Sequence, residues 1–196
     1  MIKNLILKNR TYRRFKNNVS ISEEELRSLV ELARLSPSPR NRQSLKFFIS
    51  NSEESNNKIF PTLSWAGALT DWKGPSENEK PSAYIIILGD HTILPKVEKS
   101  YHEVASGIVT QSILLGSVEK GYGGCTIAAI QRTVLRKNLN IPEHLEILLV
   151  LALGVPNETV VIEDMPDTEN YNYWRDKNLI HHVPKRSLDE IVINKF

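Results

Sequence analysis

The chain has 196 residues, 40% hydrophobic and 24% charged, proportions that suit one globular domain over residues 1–196 with a substantial core. Its 25 Lys and Arg against 23 Asp and Glu leave a net charge of +2, so no global field points to nucleic acid. A single cysteine, Cys125, excludes an internal disulfide framework and a thiolate-rich structural zinc, and no apolar run approaches the ~20 residues of a membrane span. The apolar N-terminal run is broken by Lys3 and Asn4 and lacks a small-residue cleavage pattern, so a soluble, cytoplasmic protein is expected.

Residues 2–9 fit a short helix with Ile2, Leu5 and Ile6 on one side. Lys3, Lys8, Arg10, Arg13, Arg14 and Lys16 occur with no acid among residues 1–16, which leaves three readings open: a solvated face, a polyanion contact, or a compact phosphate site. Ser22-x-x-Glu25 is a capping box. It opens a helix over 23–35, whose Leu26, Leu29, Val30 and Ala33 recur at helical spacing. Pro37 and Pro39 end that helix, because each removes a backbone donor and disfavours helical geometry in the residue before it. The loop that follows, Ser38 to Ser44, carries far more hydrogen-bonding side chains than a turn requires, and leads into a strand over 46–50.

Asn51 to Asn57 reads as a polar segment, and Pro61 to Pro81 as a connection too long for a simple turn. Ala83 to Leu88 is continuously apolar, the mark of a strand covered on both faces. A long helix is expected over 101–120, with Val104, Ala105, Ile108, Ser112 and Leu115 as its stripe and Gly121 to Gly124 as its end. A brief helix over 131–138 and a second buried strand over 147–153 follow. Residues 157–186 read as polar and irregular, anchored by Tyr171, Tyr173 and Trp174, before Ser187-x-x-Glu190 caps a last short helix. Together these describe an α+β or mixed α/β domain.

Hydrolytic and metal chemistry find little support. His102-Glu103 lacks the second histidine one turn on, and the five histidines show no ligand spacing with Cys125, so no metal is expected. There is no Gly-x-Ser-x-Gly elbow and no Walker loop. Arg10, Thr11 and Arg13 offer two guanidiniums and a hydroxyl within four residues, a plausible grip on phosphate, and Lys185 with Arg186 supplies a second positive pair. Ser38, Asn41 and Gln43 offer hydroxyl and amide groups that suit a polar heterocycle or a sugar chain. The glycines of 121–124 read either as close backbone approach to a flat ligand or as a helix cap followed by a bulge; alone they favour the cap.

Four segments in order carry a resemblance. Arg-Thr-Tyr-Arg-Arg-Phe (10–15) resembles the Arg-Ser-x-Arg-x-Phe opening of the nitroreductase family, and Ser-Pro-Ser-Pro-Arg-Asn-Arg-Gln (36–43) its Ala-Pro-Ser-x-x-Asn-x-Gln loop. Gly121 to Ile127 is similar to its Gly-x-Gly-x-Cys segment, with Leu149 to Pro156 like the strand after it, and Pro184 to Glu190 resembles a common C-terminal ending. Two departures stand out: Ser44-Leu45 occupies the place of a frequent Pro-Trp, and Pro39 removes a backbone donor.

The resemblance implies an α+β, three-layer α/β/α sandwich with a mainly antiparallel central sheet, acting as a homodimer with FMN at the interface. It implies an oxidoreductase that takes hydride from NADH or NADPH and passes it through flavin N5 to a small electron acceptor such as a nitroaromatic or quinone, by a ping-pong mechanism. By position, Arg10 and Thr11 are expected at the FMN phosphate or ribityl chain, with Lys185 and Arg186 completing the phosphate site. Arg13 is expected at the pyrimidine edge of the flavin, Ala128 and Ala129 beside the ring, and Ser38, Asn41 and Gln43 in the loop that reaches the partner chain's flavin. No catalytic acid, base or nucleophile is expected, because the cofactor carries the chemistry. The rivals are an FMN protein with another reaction, dehalogenation or flavin fragmentation, and a polyanion-binding module built on the basic N-terminal arm.

Overall fold

The computed structural model describes residues 1–165 and 170–193. Its centre is a four-stranded antiparallel sheet of order β1-β2-β4-β3, from β1 (Leu45–Ser50), β2 (Ala83–Asp90), β3 (Gly123–Ile127) and β4 (Leu145–Gly154). All eight residues of β2 are buried, because helices cover both faces of the sheet. Alternation along the strand separates two cores. Ala83, Ile85 and Ile87 pack with Leu151 and Leu153 against α2 (Glu23–Leu35) and α4 (Lys99–Glu119). Tyr84, Ile86 and Leu88 pack with Val150 and Ala152 against Ile59 of α3 (Glu53–Ile59) and Leu135 of α5 (Arg132–Leu139). The result is the expected three-layer α+β sandwich.

The capping box forms as expected: Ser22 Oγ accepts from the Glu25 amide at 3.2 Å, and the Glu25 carboxylate accepts from the Ser22 amide at 2.9 Å. Leu26, Leu29 and Ala33 are the buried face of α2, which stops at Leu35 ahead of the two prolines. The end of α4 also follows from its residues. Gly121 takes φ +83°, its amide donates to Val118 O, and the Tyr122 amide donates to Ser117 O, which is a Schellman cap. Gly123 and Gly124 need no flat ligand: a Cβ at Gly124 would lie 2.5 Å from Leu114 Cδ2 and 2.9 Å from Leu153 Cδ2.

Three expectations are corrected. The polar stretch 51–57 contains most of α3, capped by Ser52 Oγ accepting from the Ser55 amide. The stripe expected on α4 is buried only at Ala105: Val104 is exposed and Ile108 half-buried, whereas Val109 and Ile113, one residue on, face the sheet. A helix apolar on several sides gives periodicity no single face to select. Finally, the described part of 157–186 is not irregular. It forms β5 (Val160–Asp164), β6 (Trp174–Arg175) and β7 (His181–Lys185) in a second sheet of order β5-β7-β6, with β7 parallel to β5 and antiparallel to β6. Its polar composition conceals the strands, because residues of these strands stack on one another and on the N-terminal segment instead of entering an apolar core. Tyr171 is exposed, while Trp174 stacks on His182 with ring centroids 4.1 Å apart and donates to Glu163. The helices α1 (Ile2–Lys8) and α6 (Leu188–Ile191) bury no residue within this chain. Among the described residues, no helix is long and apolar enough to cross a membrane.

Candidate functional site

After α1 the chain runs along the free edge of β3: Thr11 bridges Gly124 and the Tyr12 amide donates to Gly124 O at 3.0 Å. The extended geometry alternates side chains, so Arg13 and Phe15 turn inward. On β7 the same alternation sends His181, Val183 and Lys185 to one side. Thr110, Gln111 and Leu114 of α4 approach from another side, and Gly124 and Thr126 from β3. These residues, with Ile6, Asn9, Arg10, Thr11, Arg13 and Tyr173, enclose a cavity of about 320 Å³. Among the described residues, its wall contains the cations of Arg10, Arg13 and Lys185 and no carboxylate.

Arg13 is held from every side. Its Nη1 donates to His181 Nε2 at 3.0 Å, its guanidinium carbon lies 4.4 Å from the centroid of the Tyr173 ring, and its amide donates to Glu158. Glu158 also accepts from the Arg14 amide at 3.1 Å and from Arg175 Nη2 at 3.0 Å, so one buried carboxylate orders the basic segment from behind. Burial, then the Arg13 and Arg175 guanidiniums, push the His181 pKa down to about 4. The imidazole is therefore neutral at pH 7 and accepts the Arg13 hydrogen bond. Arg10 Nε, Thr110 Oγ1 and His181 Nδ1 are buried polar atoms of cavity-wall residues with no partner among the described residues. Such groups call for a partner from outside it.

The remaining expected residues lie elsewhere. Ser38 and Gln43 line a second, larger cavity of about 580 Å³ with α2, β1 and α4. Ser38 Oγ accepts from the Gln43 amide at 2.9 Å, and Arg40, Asn41 and Gln43 all hold positive φ, near +50°. Non-glycine residues in that region are strained, and such strain gathers at functional loops. Asn41 is exposed. One chain therefore does not bring this loop to the cationic cavity. Ala128 and Ala129 are exposed beyond the end of β3, with Ala129 O accepting from the Ser64 amide, and neither lines the cationic cavity. Lys185 lines it; Arg186 does not, and donates instead to Glu190. Thr110, Gln111, Thr126, Tyr173 and His181 were missed from the sequence. Two of them left a signal: Thr110 and Gln111 are polar residues inside an otherwise apolar helical stretch.

The "Nitroreductase family" model matches residues 6–155. The chain belongs to the nitroreductase family. A Bacillus subtilis strain 168 protein named as a candidate NAD(P)H nitroreductase, YodC, is 26% identical over 174 residues, covering 71% of this chain and 82% of that one. A nitroreductase family protein of Clostridium difficile 630 superposes with a TM-score of 0.68 at 20% identity, over 98% of this chain and 96% of that one. A third, a candidate nitroreductase of Exiguobacterium sibiricum 255-15 in complex with FMN, gives a TM-score of 0.63 at 19% identity, over 81% and 89% of the two chains. Membership of the nitroreductase family makes an oxidoreductase of this chain.

Proposed function

We propose that this nitroreductase-family chain is an FMN-dependent NAD(P)H oxidoreductase whose flavin phosphate sits in the cationic cavity. The observation that carries the reading is the wall itself: three cations, two threonine hydroxyls besides Thr11 and, among the described residues, no acid, around a volume at the lower end of the ~300–1,000 Å³ usual for small-molecule sites. A structural neighbour solved in complex with FMN supports the same choice of cofactor. The orphaned Arg10 Nε and Thr110 Oγ1 fit it too, since an anionic, oxygen-rich ligand is what they lack.

Arg10, Thr11 and Lys185 hold the phosphate, each charge-assisted hydrogen bond contributing about 1.5–3 kcal/mol. Arg13 keeps its charge toward the heterocycle, because His181 and Tyr173 hold the guanidinium while Glu158 holds the backbone amide. The chemistry these residues would hold in place is that of a bound flavin, which would supply a hydride acceptor at N5 between a reduced nicotinamide and a small acceptor such as a quinone or nitroaromatic. The protein excludes water with the α4 wall and opposes the negative charge that reduction adds.

A homodimer completes the site. The loop of Ser38, Asn41 and Gln43 comes from the partner, which is why one chain leaves it apart from Arg10. Exposed apolar side chains on α1 (Ile2, Ile6, Leu7), on α4 (Val104) and on α6 (Leu188, Ile191) supply surface for that contact. The polyanion-arm reading is disfavoured by the inward course of Arg13 and by the ion pair of Arg14 with Glu79 at 3.5 Å.

The visible spectrum of the purified protein, before and after addition of FMN, tests the cofactor. Flavin bands that travel with the protein through gel filtration are expected, and a protein that stays colourless after loading would overturn the proposal. Turnover of NADH or NADPH with a quinone then tests the reaction.

A further inference from the structure

At the far end of the central sheet, three side chains from three elements converge. His91 follows β2, Glu146 lies in β4 opposite Gly89, and His102 sits in the first turns of α4. One ligand atom from each lies within 4.8 Å of those of the other two. His91 Nε2 stands 2.9 Å from Glu146 Oε2, and the two imidazole centroids are 5.3 Å apart. We propose that His91, His102 and Glu146 form a binding site for a divalent transition metal of the zinc type.

Two observations beyond proximity carry this. His102 is fully buried, yet neither of its ring nitrogens has a hydrogen-bond partner among the described residues. Leaving such a group unpaired in the interior costs about 1–3 kcal/mol, and coordination of one nitrogen removes much of that cost. The second is the orientation of His91. Its Nδ1 lies 3.2 Å from Leu94 O, where an N–H can bond. Its other nitrogen, Nε2, is thereby turned toward the Glu146 carboxylate, so the two groups face the same point. A metal histidine is commonly oriented by this kind of bond from its other nitrogen to a carbonyl.

The surroundings are built for the His102 ring. A Cβ at Gly89 would fall 2.5 Å from His102 Nδ1, so glycine is what lets the imidazole lie over the strand. Asp90, buried next to His91, adds negative charge while its Oδ1 is occupied by the Thr92 amide and hydroxyl. Two imidazoles and a carboxylate, without a thiolate, favour a borderline metal such as Zn²⁺ or Co²⁺ over Mg²⁺ or Ca²⁺. Metal–ligand lengths near 2.1 Å put tetrahedral ligand atoms about 3.4 Å apart, so closing the site takes a rotation of the half-exposed Glu146 side chain. Three protein ligands leave one position for water. Glu146 is seven residues along β4 from Leu153, the partner of Gly124, which puts the metal about 24 Å from the cationic cavity. It would clasp the start of α4 to the sheet and take no part in electron transfer.

The test uses the whole protein, freed of metal with a chelator and carrying its flavin if it holds one. Titration with Zn²⁺ by calorimetry, and with Co²⁺ by visible absorption, is expected to give one metal per chain and the intense d–d bands of low coordination number. Zn²⁺ is expected to raise Tm. H91Q and E146Q each weaken binding by ~10-fold or more, with far-ultraviolet circular dichroism unchanged. Because His102 is in the core, H102Q is read only if it folds; the two partly exposed ligands decide the matter. No saturable binding, or equal binding by wild type, H91Q and E146Q, would overturn the proposal.

Discussion

The Arg13 guanidinium and the His181 imidazole meet at 3.0 Å inside the protein, and that contact sets how the site responds to pH. With its folded pKa pushed down to about 4, His181 takes up a proton more readily in the unfolded chain. Its contribution to stability is therefore whole above the ordinary histidine value of about 6.5. It falls as the pH drops from there towards 4, where protonation would set two cations side by side. His102, also lowered, by burial and then by His91, acts in the same direction. The urea midpoint should decline between pH 7 and pH 5, and His181→Gln should make that decline shallower. An equal slope in the variant would remove His181 from the account. At Arg10 the expectation concerns affinity. Arg10→Ala should lose about 1.5–3 kcal/mol of FMN binding, or about 10- to 150-fold in Kd by fluorescence titration. An unchanged Kd would place the phosphate elsewhere.

Among the elements, α2 and β3 are joined through one carboxylate. Glu25 Oε2 closes the capping box with Ser22, while its Oε1 accepts from Tyr122 Oη at 2.7 Å, just past the Schellman turn of α4. The Tyr122 bond, followed by those from Ser22, holds the Glu25 pKa below the usual carboxylate range, and the same bond pushes Tyr122 up to about 12. Ser22→Ala should cost about 1 kcal/mol, as lost N-caps do, and Tyr122→Phe a similar amount. Because both bonds orient one side chain, the double variant should depart from additivity by about 0.5 kcal/mol or more in a denaturation cycle. Strict additivity would mean the two contacts are independent. The elements legible in the sequence were those with such local signals: the capped α2, the continuous apolar β2 and the glycine-ended α4. What stayed hidden was α3, whose polar residues carry no stripe, and the strands β5 to β7. Residue patterns singled out Arg10, Thr11, Arg13 and the pair Lys185 and Arg186, of which all but Arg186 line the cavity. They could not pair Thr110 with His181, 71 positions on, because only the folded sheet brings those residues together.

For the whole molecule, the distribution of apolar surface is the informative feature. Neither α1 nor α6 fully buries a residue in its own chain, and the 36–43 loop keeps its strained backbone away from the cavity it is expected to serve. A two-fold assembly resolves both. Sedimentation equilibrium should give a dimer that carries flavin; a flavin-loaded monomer would refute the shared site. In the proposed dimer each cavity is closed by its partner, so dilution should release cofactor and dissociate chains together.

Cys125 lies 5% exposed in the second core, and burial, ahead of the nearby charges, pushes its thiol pKa up to about 11. Thiolate is the reactive form, so this side chain is inert to alkylating reagents at neutral pH. As the chain has no other cysteine, any cysteine introduced on the surface becomes the sole handle for chemistry. One spin label at an exposed position such as Val104 would thus report a single inter-chain distance, turning the proposed symmetry into a length that can be read directly.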